Sequence, residues 1–284
     1  MAQVGEQEIR TEFVDRVLKG FAEAAYKFKQ ACTIASTNGW KNAFYRETNS
    51  ALSGPNGNGI RLLPRGANFP QASVEWTRID SYIEKYGLED NIFWEDILTD
   101  DIEVQARTMF RIAEGVTKAV DDQIYSQLKT DAGNTIQVAT GLYWDGTSGA
   151  IIDVMMNAKQ LIAEANYDPS DLMMFISPKD HRSIVNYLAS KGAQFPSIGE
   201  DMARNGRAGN IAGISLVISN SVTASEALIV KPRICAIWRA AVPLTTEVIT
   251  DPYKSVKIRA VEMGVTQVTD PSAVVRIKGT QGAF

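Results

Sequence analysis

Histidine is nearly absent from this sequence. Its 284 residues include one, His181, along with two cysteines, Cys32 and Cys235, far apart and in no paired motif. Hydrolytic triads and most zinc centres draw on at least one well-placed histidine and often several. A single one inside "SPKDHRSIVNYL" offers little to build them with. Ser177 and Pro178 there read as a helix N-cap and first helical residue. His181 then sits in the first turn, in a structural role. The two thiols read as reduced and structural.

An excess of positive charge is also missing. The formal net charge is −4, so nothing suggests electrostatic capture of nucleic acid or of an anionic membrane. No apolar run approaches the roughly 20 residues a membrane helix needs. The N-terminus carries no apolar signal core, which points to a cytoplasmic origin. No GxSxG, HExxH or CxxC occurs. The acidic pairs Glu95-Asp96, Asp100-Asp101 and Asp121-Asp122 are adjacent residues, which diverge on a helix. They do not form converging carboxylates, and no catalytic constellation emerges.

A glycine- and proline-rich stretch, "NSALSGPNGNGIRLLPRGANFP" from Asn49 to Pro70, raises the question of a phosphate loop. It fails the test. Gly59 is followed by Ile60 and Arg61 rather than Lys and Ser/Thr. Pro64 and Pro70 forbid a helix across the region. The stretch reads as an exposed tip. "YWDGTSG" at 143–149 reads as a solvated turn, since a calcium loop needs more oxygen ligands at alternating positions.

What the chain does contain is periodic structure. Hydrophobic residues make up 45% of it, enough for a real core. Residues 6–31 predict an amphipathic helix with Ile9, Phe13, Val17, Phe21, Ala24 and Phe28 on one stripe. Its polar face balances both signs, unlike the Lys/Arg-rich face of a membrane-surface helix. Residues 39–50 read as extended. Within "ASVEWTRIDSYIEKY", 72–86, alternate positions give no uniformly apolar set. That predicts a projecting ribbon touching protein on both sides rather than a strand on a core.

Residues 100–129 predict one long helix. Ile102, Ala106, Met109, Ala113, Val116, Val120, Ile124 and Leu128 keep helical spacing without a slip. Asp100 with Glu103 resembles a capping box, and Gly133 a stop signal. A shorter helix follows at 150–166, then a buried strand "DLMMFIS", a helix at 178–190 and a long glycine-rich loop. Beyond it lie only strand signals: "ISLVIS", "EALIVK", "CAIWRAA", "TTEVIT", "SVKIRAVEMGVTQV" and "AVVRIKG".

This order of elements resembles the major capsid proteins of tailed phages and related archaeal viruses, whose fold is named for phage HK-ninety-seven. "EKYGLEDNIFWEDILTDDIEVQARTMFRIAEGVTKAVDDQIYSQL" resembles the return of that family's extended loop and its spine helix. "FISPKDHRSIVNYL" resembles the strand and helix of its axial domain. "IAGISLVISNSVTASEALIVKPRICAIW" resembles the strands that follow, and "TDPYKSVKIRAVEMGVTQVTDPSAVVRIKG" the closing strands of its peripheral domain.

The resemblance implies an α+β fold with an N-terminal arm (1–38), an extended β-hairpin loop (39–86), a peripheral segment with the spine helix (87–135), an axial domain (136–238) and closing peripheral strands (239–284). It implies a non-enzymatic, cofactor-free shell subunit forming pentamers and hexamers around double-stranded DNA, made in the host cytoplasm and residing in the virion capsid. The expected partners are further copies of itself, the packaged DNA by non-specific contact, and portal, separate scaffold or decoration proteins; no membrane is expected. The inter-subunit contacts it implies are Phe13 and Phe21 on the arm and Ile60, Leu62, Leu63, Phe69 and Trp76 on the loop. Because the arm begins at Met1, scaffolding is expected to be separate or unnecessary. Lys41 and Lys85 lie in or near the ribbon, but no Asn and Glu partners are identified for an isopeptide cross-link. A cellular shell of the same fold, an encapsulin enclosing a cargo enzyme, is the alternative that the composition leaves open.

Overall fold

The computed structural model describes residues 16, 18, 26–47, 62–68, 76–95, 102–146, 149–190, 209–252 and 254–282. Within them the order is β1 (Thr33–Ser36), β2 (Lys41–Glu47), β3 (Trp76–Tyr82), β4 (Glu84–Phe93), α1 (Ile102–Thr130), β5 (Asn134–Gln137), α2 (Ile151–Glu164), β6 (Leu172–Ile176) and α3 (Pro178–Ser190). Then come β7 (Asn210–Ile211), β8 (Ile214–Ile218), β9 (Glu226–Val230), β10 (Ala236–Asp251), β11 (Ser255–Val268) and β12 (Val274–Lys278). Three sheets result: β1-β10-β11-β4, β5-β12-β9-β6-β8-β7, and the two-stranded β2-β3. The mixed helices and strands match the expected α+β class.

The six-stranded sheet divides two hydrophobic cores. Phe175 of β6, Leu228 and Val230 of β9 and Val274 of β12 belong to the core that holds α1 and the four-stranded sheet. Leu172, Met174 and Ile176, Ala227 and Ile229, and Val275 and Ile277 belong to the other, with α2 and α3. Successive side chains of a strand point to opposite faces. A strand covered on both sides therefore reads as one continuous apolar run, as "LMMFI" does.

Helix α1 is 29 residues long. Met109, Ala113, Val116, Val120, Ile124 and Leu128 of the expected stripe are all buried, joined by Ile112, Thr117, Asp121 and Tyr125. Asp100 and Asp101 lie outside the described residues. Gly133 follows the helix for a different reason than a left-handed stop. Its N–H donates to the carbonyl of Pro271 at 2.9 Å, and a Cβ there would stand 2.6 Å from that oxygen.

Three expectations change. The helix predicted over 6–31 does not reach its end: Phe28–Ala31 is a single 3-10 turn, while helix is described at Arg16 and Leu18. "CAIWRAA" and "TTEVIT" are one strand, β10, whose ladder with β11 shifts register between Ala240 and Val242 and again between Val242 and Thr245. Pro243, which has no N–H to contribute, falls inside the second irregularity. Val274–Lys278, grouped by sequence with the preceding strands, pairs instead with β9 and β5 in the six-stranded sheet. β5 itself gave no strand signal.

Candidate assembly surface

The hairpin β2-β3 is antiparallel, with Lys41 opposite Tyr82, Ala43 opposite Asp80, Tyr45 opposite Arg78 and Glu47 opposite Trp76. Directly opposed residues share a face. One face therefore carries Lys41, Ala43, Tyr45, Trp76, Arg78, Asp80 and Tyr82, all exposed. The other carries Asn42, Phe44, Arg46, Ile79 and Ser81, all half-buried, and Thr77, which is exposed. The sequence expectation of a ribbon touching protein on both sides is thus half met within the subunit. One face rests on its own body; the other stays open, with Tyr45, Trp76 and Tyr82 57–60% exposed.

Polar ties hold the inner face down. Arg46 donates to the carboxylate of Asp131 just past α1 at 2.9 Å and to the Val268 carbonyl at the end of β11. Gln267 donates to the Ser81 hydroxyl at 2.7 Å. At the base, the N–H of Ile83 bonds the carbonyl of Trp40 at 3.1 Å. On the open face, Lys41 pairs with Asp80 at 2.7 Å and Arg78 reaches the same carboxylate at 3.4 Å. The Lys41 ammonium holds the Asp80 carboxyl below the usual carboxylate range, first by hydrogen bonding to it.

Of the predicted contact residues, Phe13, Phe21, Ile60 and Phe69 lie outside the described residues. Leu62 is 98% exposed and Leu63 half-buried. They precede a turn in which the Ala67 N–H reaches the Pro64 carbonyl at 3.1 Å, with Gly66 at φ 83°. That positive φ at the third position is the type II geometry that favours glycine.

The root of the arm is built from residues that sequence reasoning did not assign. Asp121, a member of one of the adjacent acidic pairs read as non-converging, is buried. Its carboxylate accepts the backbone N–H groups of Lys27 at 2.9 Å and Phe28 at 3.1 Å. A helix running to residue 31 would have spent those donors on its own carbonyls. Phe28 then stacks on Phe175 at 4.1 Å between ring centroids. Glu262 of β11 is fully buried. It receives Lys29 Nζ at 2.6 Å, Trp238 Nε1 at 3.2 Å and the Tyr26 hydroxyl. The Lys29 ammonium lies 4.1 Å from the Tyr26 ring centroid. Thr117 and Asp121, four residues apart beside the apolar stripe, were the available signal: that spacing puts both on one flank facing the core.

Burial pushes the Asp121 carboxyl up to about 6, against the pull of the backbone N–H groups of Lys27, Lys29 and Phe28. An unfolded aspartate titrates near 3.9. Between about pH 4 and pH 6 the folded chain therefore holds a proton that the unfolded chain has released. The stability this group contributes is full below about pH 4 and declines as pH rises to about 6. Urea unfolding across that window should show the slope, and Asp121→Asn should remove it. An unchanged slope in the variant would contradict the assignment.

Helix α3 begins at Pro178 as expected. The Ser177 hydroxyl and the Asp180 carboxylate bond each other at 2.6 Å, and Ser177 Oγ accepts the Asp180 N–H at 3.1 Å. His181 lies in that first turn, its N–H on the Ser177 carbonyl. Buried Asp180 also receives Thr280 Oγ1 at 2.7 Å and Gln281 Nε2 at 2.5 Å, a structural hub tying the end of the chain to α3. Among the described residues no group of three or more His, Cys, Asp or Glu could hold a metal, and no helix is long and apolar enough to cross a membrane.

A long helix against a four-stranded sheet, a six-stranded sheet between two cores and an outlying hairpin define a shell-protein architecture of the HK-ninety-seven type. A family model described as phage capsid protein matches residues 77–277, and the chain belongs to that family. No curated protein sequence matches it. Among solved structures it is similar to the capsid of Cyanophage P-SCSP1u (TM-score 0.69, 13% identity, 89% of this chain and 88% of that one). It is similar to the virus-like particle from Pyrococcus furiosus (TM-score 0.65, 13% identity, 94% and 99%). It is also similar to the mature capsid of bacteriophage PhiM1 (TM-score 0.64, 13% identity, 91% and 88%).

Proposed function

We propose that this chain is the major capsid protein of a virus head: a subunit that self-assembles into pentamers and hexamers of an icosahedral shell around double-stranded DNA. It works by presenting surfaces rather than by catalysis. The observation that carries this reading is the hairpin held to the body by one face while its other face shows three large aromatics to solvent. Monomeric proteins seldom expose such a strip without a partner. In the same reading, the four-stranded sheet with α1 forms the peripheral domain, and the six-stranded sheet with α2 and α3 the axial one. The pairing of β12 with β5 and β9 supports counting β5 and β12 in the axial part as well. Synthesis is in the host cytoplasm, and portal, scaffold or decoration proteins complete the head.

The test is electron microscopy of the purified chain. Closed shells whose nucleic acid resists added nuclease until the shell is opened are the expected result. Shells filled with protein instead of nucleic acid would assign it to the encapsulin class. A monomer at all concentrations and salts would overturn the shell reading.

A further inference from the structure

Glu262 anchors a second site, one that the chain fills with its own side chain. With Ile258, Ala260 and Gly264 it takes the alternating buried positions of β11. Trp238 of β10 stands opposite Thr266. Its indole reaches back along β11 across Gly264, where a Cβ would come within 2.4 Å of the ring. Glycine is what lets the ring lie this close to the strand. That posture brings Trp238 Nε1 to Glu262 Oε1 at 3.2 Å. Two neighbouring strands thus build an aromatic wall beside a buried carboxylate.

One cation enters this corner. Lys29 Nζ lies 2.6 Å from Glu262 Oε1, 4.1 Å from the Tyr26 ring centroid and 5.8 Å from the Trp238 ring centroid. Two rings and a carboxylate around an ammonium are the elements of a cation cage. The Tyr26 hydroxyl takes the other carboxylate oxygen. One oxygen is left for the cation, which suits a compact ammonium rather than a guanidinium fork that needs both. A quaternary ammonium has no N–H to give that oxygen. The Lys29 side chain is 14% exposed and that of Glu262 not at all, so the cage is closed at its floor and reached along the lysine stem.

The turn that carries Lys29 is held in place without its side chain. The N–H groups of Lys27 and Phe28 donate to Asp121, and Phe28 stacks on Phe175. The Ala31 carbonyl accepts the Arg233 N–H at 2.7 Å. Neither this backbone nor the Trp238–Glu262 pair depends on the lysine stem. We propose that Trp238, Glu262 and Tyr26, with Gly264 making room for the indole, form a built binding site for a primary alkylammonium, which Lys29 occupies as a ligand from the same chain. The site belongs to the single subunit and is independent of the shell reading.

The experiment empties the site with Lys29→Ala in the full chain. Truncation at Cβ removes a stem and an ammonium that n-propylammonium reproduces atom for atom. Thermal unfolding is followed by far-UV circular dichroism in equal concentrations of n-propylammonium, tetramethylammonium and potassium chloride. At about ten times its Kd, n-propylammonium should raise the melting temperature of Lys29→Ala by about 2–5 °C over potassium chloride. Tetramethylammonium should match potassium chloride. Wild type, with its cage filled, should gain nothing from n-propylammonium, and neither should Lys29→Ala/Glu262→Gln, whose cage has lost its charge. Gly264→Ala added to Lys29→Ala should abolish the gain by displacing the indole. If Lys29→Ala does not fold unaided, its refolding yield in the same three salts gives the same reading. No gain from n-propylammonium in either measurement, an equal gain in wild type or in the Glu262→Gln background, or an equal gain from tetramethylammonium would overturn the site. A gain that survived Gly264→Ala would overturn the part assigned to Trp238.

Discussion

Val120→Pro should leave no normally folded subunit. Val120 lies in the middle of α1 and is wholly buried. Proline there removes the N–H that closes the bond to the residue four back and drives its ring into the preceding turn, at about 3 kcal/mol or more. The damage is not confined to one bond. Helix α1 spans about 44 Å at 1.5 Å per residue. Its buried side packs on β4 and β11 and shares a core with Phe28, Phe175 and Trp238. A kink at Val120 misaligns Val116 on one side against Ile124 and Leu128 on the other. Set against a total stability of about 5–15 kcal/mol, such a loss removes most of the margin. Asp122→Ala, on the exposed side two residues on, should stay within about 0.5 kcal/mol of wild type. Urea unfolding followed by far-UV circular dichroism makes the comparison. A wild-type midpoint for Val120→Pro would mean that α1 is not one continuous helix.

Glu262→Ala should be the second most damaging change, at about 3–5 kcal/mol, the range for removing one member of a buried ion pair. The carboxylate has no exposed surface, and Lys29 is 14% exposed. Its loss strands three donors at once: the Lys29 ammonium, the Trp238 indole N–H and the Tyr26 hydroxyl. Tyr26 supplies a check on the mechanism. Burial, together with the nearby Glu262 charge, holds its phenol protonated far above the usual tyrosine range. In Glu262→Ala, Tyr26 should therefore titrate at lower pH. The double variant Lys29→Met/Glu262→Leu should cost less than Glu262→Ala alone, because it leaves no unpaired charge to bury. Should the double cost the sum of the two single changes, the pair would not be coupled and the ionic root of the arm would be wrong.

These two predictions draw on different kinds of information. The Val120 argument was available from the sequence. The stripe from Met109 to Leu128 keeps helical spacing for five turns, and local periodicity on that scale is decided by geometry intrinsic to the chain. The alternation of the hairpin strands was legible for the same reason, as were β6, β8, β9 and β11. So was the fold class, through the order of the elements. The exposed aromatics of the hairpin fared differently. Trp76 was named as an expected contact, and the structure shows it exposed on the open face. Tyr45 and Tyr82 were not named, because their sharing of an exposed face with Trp76 depends on the β2-β3 register, and register is a relation between segments some 35 residues apart.

Glu262 shows the remaining limit. In "SVKIRAVEMGVTQV" it is one charge among several on an alternating strand, and Asp121 is one of two adjacent aspartates. Helical spacing from Thr117 sets Asp121, not Asp122, on the core flank, yet nothing local says which groups enclose it; Asp121 is buried and Asp122 exposed. What the sequence alone determined was periodicity: which segments are helix or strand, which have one apolar side, and which have none. The tertiary structure decided which polar groups are enclosed and what they hold. Burial of a charge is settled by the partners that long-range packing brings to it, here the N–H groups of Lys27 and Phe28 and the side chains of Tyr26, Lys29 and Trp238. Those partners lie far along the chain from the carboxylates they meet, and only the closed fold sets them around Asp121 and around Glu262.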